Sequence, residues 1–167
     1  MKTRDPLERA PARRFTLLAT IATLATVAAL APFSAFAAGP YQFYPVTPCR
    51  AIDTRSGLGG YTGLLPNGVV KTFTIRGASP CFIPASATAV AFNVTIADPA
   101  NSGWVSLYPV GAGWPGVSTI NFIAGENLAN GAIVPVGAGS PDLNVLAAFE
   151  AGASGVNLIL DITGYFQ

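Results

Sequence analysis

At 167 residues the chain has room for one ordinary domain. Only 10% of its residues are charged and none is histidine, which argues against nucleic acid as a partner, because phosphate binding needs clustered lysine and arginine. Apolar residues, 51% of the total, run the whole length and argue against disorder, while 18 glycines and 14 prolines without a period suit tight turns between short strands.

The first segment reads as a targeting signal. Met1 to Arg14 carries Lys2, Arg4, Arg9, Arg13 and Arg14 against Asp5 and Glu8, and Phe15 to about Leu30 follows without a charge. Pro32 then breaks any helix, and Ala35-Phe36-Ala37 offers the small residues of a cleavage site. The expected organisation is a signal peptide over 1–37 and one domain over 38–167. A retained membrane anchor is the competing reading, because Phe15 to Phe36 nearly matches a bilayer span. Arg13-Arg14 hints at twin-arginine export, though Phe15-Thr16-Leu17 fits that motif poorly. Of nine basic and eight acidic residues the segment takes five and two, so four basic and six acidic remain, a formal net of −2.

Strand character then recurs at short spacing. Tyr41–Val46 and Ala51–Asp53 precede a glycine-rich loop over 56–68. Val69–Ile75 alternates polar and apolar positions, as a half-buried strand does. Ala89–Ala97 is the clearest strand, with Val90, Phe92, Val94 and Ile96 on one face and Ala89, Ala91, Asn93 and Thr95 on the other. Trp104–Tyr108, Ser118–Ile123, Ala132–Val136, Leu143–Ala148 and Val156–Thr163 complete the series, divided by Pro, Gly, Asn and Asp. No window after Ala38 keeps a helical period for the ten or so residues a helix needs. Eight or nine short strands at this spacing predict an all-β fold, a sandwich of antiparallel strands ahead of a barrel.

Cys49 and Cys81 are the only cysteines. Export places them where disulfides persist, and their bridge would close a loop of about 33 residues worth roughly 3–4 kcal/mol. Two separate buried thiols are the alternative. Without histidine the pair cannot complete a zinc site, and no residue pattern asks for a cofactor.

Histidine-dependent triads lack their base, and no nucleophile elbow or P-loop is present. Paired carboxylates for a glycan hydrolase would come from Asp53, Asp98, Glu126, Asp142, Glu150 and Asp161. Asp98 and Asp142 adjoin prolines in turn-like settings, Asp53 and Asp161 read as structural, and only Glu126 and Glu150 stay unassigned. The expectation is therefore a protein that is not an enzyme. Arg50 and Arg55 flank Asp53 and offer forked donors to an anion or carboxylated sugar, yet an internal network of Asp53, Asn93 and Asp161 with these arginines is the favoured reading. Trp104, Tyr108 and Trp114 are the aromatic candidates for a binding face. Trp104 and Tyr108 share a strand face, and Trp114 sits in a glycine-rich loop.

The run Tyr44-Pro45-Val46-Thr47-Pro48-Cys49-Arg50 with Asp53-Thr54-Arg55 has companions downstream: Ile83-Pro84, Ala89 to Thr95, Tyr108-Pro109, Ser118 to Phe122, Ala129-Asn130 and Asp161 to Phe166. Together they resemble a β-rich module of secreted bacterial proteins, notably from actinobacteria and acidobacteria. The resemblance implies export and an accessory or surface-associated role, and carries no defined activity. The expected function is a secreted, non-catalytic domain contacting a cell-surface protein or glycan, with no membrane contact once the signal is removed. Two alternatives remain: a self-assembling homo-oligomeric subunit that adds edge to edge, and a histidine-free glycan hydrolase.

Overall fold

The computed structural model describes residues 40–149 and 155–167. The expected signal peptide over 1–37 lies outside the described residues, as do 150–154. Pro40–Gln167 forms one compact unit.

Eight strands fold into two antiparallel sheets packed face to face. They are β1 (Phe43–Asp53), β2 (Val70–Phe73), β3 (Ala89–Ala97), β4 (Gly103–Pro109), β5 (Ile120–Phe122), β6 (Leu128–Pro135), β7 (Leu143–Phe149) and β8 (Asn157–Phe166). Sheet I runs β1-β8-β3-β6 and sheet II runs β2-β7-β4-β5, and the two do not close into a barrel. The architecture is a β-sandwich.

The period-2 pattern of β3 sets the inner face of sheet I: Val90, Phe92, Val94 and Ile96 are all buried. Leu158, Leu160 and Ile162 of β8 join them, and Phe73, Val105, Leu107, Ile120, Leu143 and Val145 of sheet II close the core from the other side. Each such side chain contributes about 1.5–3 kcal/mol on burial.

Two segments differ most from the sequence expectation, while the strands expected over 69–75 and 118–123 shorten to Val70–Phe73 and Ile120–Phe122. The stretches read as separate strands over 41–46 and 51–53 are one strand, β1, whose register against β8 slips between Pro45 and Cys49 and again between Arg50 and Ile52. Pro45 and Pro48 lack an N–H, which an edge strand tolerates. The expected strand over 132–136 begins earlier, at Leu128, and runs through Asn130-Gly131, a dipeptide that otherwise signals a turn. After β1 the chain doubles back on itself, with Asp53 N donating to Leu58 O at 3.1 Å. Gly59 follows at φ +87°, its α-carbon close enough to Ile52 that a β-carbon would meet Cγ1 at 2.8 Å. Cys49 and Cys81 are disulfide-bonded, tying β1 to the loop that precedes β3.

Candidate functional site

Strand register assembles the charged cluster on the outer face of sheet I. Asp161 of β8 has Arg50 of β1 opposite it on one side and Asn93 of β3 on the other. Arg50 donates through Nε to Asp161 Oδ1 at 2.8 Å and through Nη2 to Oδ2 at 3.2 Å, a two-pronged ion pair. Its Nη1 reaches Asp53 Oδ2 at 3.3 Å. Asp53 in turn accepts from Arg55 Nε at 2.9 Å, Arg55 Nη2 at 2.8 Å and the Arg55 backbone N–H at 3.1 Å. Asn93 donates to Thr95 Oγ1 at 3.4 Å. Pro48, Cys49, Arg50, Asn93, Asp161 and Thr163 line an open groove of about 600 Å³ beside this row. Both arginine forks are thus engaged by carboxylates, the arrangement expected of a network that anchors the loop after β1.

The Arg55 guanidinium, hydrogen-bonded to Asp53, holds that carboxyl below its ordinary 3.8, at about 2. Burial opposes the effect, while the Arg55 backbone N–H and the charges of Arg55 and Arg50 add to it. The hydrogen bond to Asp161 raises the Arg50 pKa, and that to Asp53 raises the pKa of Arg55. Because the folded-state pKa of Asp53 is depressed, the stability it contributes is complete above about pH 4 and is lost as pH falls through about 2. Both guanidiniums are well exposed, so solvent reduces the contribution to about 1–2 kcal/mol. In urea titrations between pH 4 and 2, wild type is expected to lose that much more stability than Asp53→Asn. Parallel pH profiles for the two proteins would show that Asp53 plays no such part.

The aromatic candidates separate. Strand β4 points Trp104, Ser106 and Tyr108 outward from sheet II, as their even spacing requires. Trp104 is partly buried, and Trp114 is 48% exposed and stacks on it with ring centroids 5.3 Å apart and planes 7° from parallel. Tyr108 is only 5% exposed and forms no part of a binding surface. Parity decided the face of Tyr108 but not its burial, and the β4–β5 loop follows the edge of β4, where Thr119 N donates to Val105 O at 2.8 Å and Leu107 N donates to Thr119 Oγ1 at 2.9 Å.

Trp104, Trp114, Gly116 and Ser118 line a depression of about 210 Å³. On the β7 side a second hollow of about 390 Å³ is lined by Ser102, Gly103, Trp104, Phe122, Ala148 and Phe149. Exposed Asn121 of β5 lies opposite Trp104 in register. A flat indole pair with amide and hydroxyl groups at its margin can stack on a ring and hydrogen-bond its substituents.

One buried pair escaped sequence reasoning. Asp142 is 0% exposed and accepts from Ile75 N at 2.8 Å, Arg76 N at 3.0 Å and Arg76 Nε at 3.0 Å. Its neighbour Pro141 marks it in the sequence as a turn residue. The available signal was Arg76 itself, the one arginine of the region without an assigned role. Asp98 does occupy a turn, at φ 53°, with its N–H donating to Asn127 Oδ1 at 2.7 Å. Glu150 lies outside the described residues. Among the described residues no three histidines, cysteines or carboxylates gather as metal ligands would. No protein-family model matches this chain and no curated protein matches it, so the functional reading rests on the geometry of the two clusters.

Proposed function

We propose that this chain is an exported, non-catalytic β-sandwich that binds a glycan at the cell surface through the Trp104–Trp114 platform. The stacked, half-exposed indole of Trp114 carries the reading. Burying a large flat ring has a high gain, and a loop that holds one in solvent against a second ring keeps a rigid surface ready for a sugar face. The Cys49–Cys81 disulfide agrees with an oxidising compartment. Among the described residues no helix is long and apolar enough to cross a membrane. The basic-apolar-small pattern of 1–37 and the resemblance to secreted bacterial modules favour export in the same direction.

The test is retention on insoluble polysaccharides combined with tryptophan fluorescence on addition of soluble glycan fragments. Wild type should bind with a change in indole emission. Trp114→Ala should weaken binding by roughly thirtyfold, the scale of a central aromatic contact, at an unchanged melting temperature. Equal binding by Trp114→Ala, or binding only to protein ligands, would remove the glycan reading.

A further inference from the structure

Each sheet has two edges, and three of the four are blunted. Strands β2 and β5 are only 4 and 3 residues long, and β2 carries Lys71. Strand β1 contains Pro45 and Pro48, slips register twice and is clipped by the disulfide at Cys49. These are the devices by which sheets discourage strand addition.

Strand β6 is neither short, charged nor slipped in register. It runs 8 residues, Leu-Ala-Asn-Gly-Ala-Ile-Val-Pro, without a charge and with proline only at its last position. Its register with β3 is unbroken from Ala89 opposite Pro135 to Ile96 opposite Leu128. Val136 N donates to Thr88 O at 3.0 Å, which makes Ala89 and Pro135 a non-hydrogen-bonded pair. By alternation Leu128, Asn130, Ala132 and Val134 direct their N–H and C=O groups to β3, while Ala129, Gly131 and Ile133 direct theirs outward. Among the described residues no strand pairs with that side. Ile133 is 63% exposed, and Asn130 Nδ2 holds the strand in place by donating to Thr119 O at 2.8 Å.

We propose that β6 pairs antiparallel with β6 of a second copy of this chain, across a two-fold axis through Gly131, joining the two sheets I into one. Self-pairing sets every side chain against one from the same strand, so a strand without charge meets no like charge. A charged foreign strand would find no counter-charge there. On the axis Gly131 faces itself in open space, since a β-carbon there would touch nothing within 4 Å. Beside it Ala129 faces Ile133 of the second copy, small against large in both directions. A formal net of −2 for residues 38–167 adds little repulsion between copies.

Light scattering on the oxidised full chain, over a roughly hundredfold concentration range, reads the outcome as mass against concentration. The expected result is reversible doubling. Ile133→Lys places a charge on the edge at an exposed position, so it should fold normally by circular dichroism and raise the midpoint concentration at least about tenfold. Gly131→Cys should form a covalent dimer on mild oxidation, since facing strand positions lie within disulfide reach. Trp114→Ala should dimerise as wild type does, which separates this result from that of the glycan test. A monomer throughout, growth beyond the dimer, undiminished association of Ile133→Lys, or doubling without a Gly131→Cys cross-link would each overturn the proposal.

Discussion

Asp142→Ala is expected to destabilise the domain by about 3–5 kcal/mol, equivalent to a drop of roughly 10–20 °C in melting temperature. The carboxylate has no contact with solvent, and its removal strands two backbone N–H groups, those of Ile75 and Arg76, together with a guanidinium. Arg76 cannot relax outward without losing its further bonds to Ala85 O, Ala87 O, Gly137 O and Gly139 O. The pair therefore sews the segment after β2 to the turns before β3 and β7. Arg76→Met alone should cost about as much, because it leaves a buried carboxylate unpaired. The double change Arg76→Met with Asp142→Leu should recover part of the loss, since an uncharged pair carries no desolvation penalty. Urea midpoints of the three variants check the account, and a loss under about 1 kcal/mol for Asp142→Ala would refute it. The exposed Arg50–Asp161 pair belongs to that weaker class, whatever its geometry.

Cys81→Ser is expected to cost about 3–4 kcal/mol, the second largest effect. The bridge spans a sequence separation of 32 and joins a strand to a loop rather than two neighbours in a ladder. Most of its benefit arises from restricting the unfolded chain, so the loss should show as a shifted urea midpoint with little change in the native circular dichroism. Reducing wild type with dithiothreitol should bring it to the same midpoint. If oxidised and reduced wild type unfold together, the bridge contributes nothing.

The parts of the fold that were legible in the sequence are those where one local rule governs. The alternation of Val90, Phe92, Val94 and Ile96 reports a half-buried strand directly, and β3 spans the expected residues. Where two local signals compete, tertiary context decides. The gap between the expected strands over 41–46 and 51–53 is closed by β8, which pairs with both parts of β1 across two register slips, and Pro45 and Pro48 are tolerated because β1 is an edge strand. Asn130-Gly131 reads as a turn, yet the β3 ladder holds it extended. Strand order was not legible at all, because β1 meets β8 across the whole domain and no periodicity records a pairing that distant. The clusters divide in the same way. Arg50, Asp53 and Arg55 are neighbours in sequence, and the β1–β8 register sets Asp161, expected in the same network, opposite Arg50. The Asp142 environment depends on Arg76, 66 residues away, which the neighbouring Pro141 obscured.

The ladder between β1 and β8 begins where the domain's two ends meet: Gln42 N donates to Gln167 O at 2.9 Å, and Gln167 N to Gln42 O at 3.2 Å. Tension applied across those ends loads the two strands as a zip, opening one rung at a time rather than shearing many together. The opening proceeds from Phe43 only as far as Cys49, where the sulfur bridge hands the load to Cys81. Residues 50–80, with the Asp53 cluster and β2 among them, then lie off the line of force. A molecule anchored at both ends would yield readily over its first few residues and keep that enclosed stretch slack.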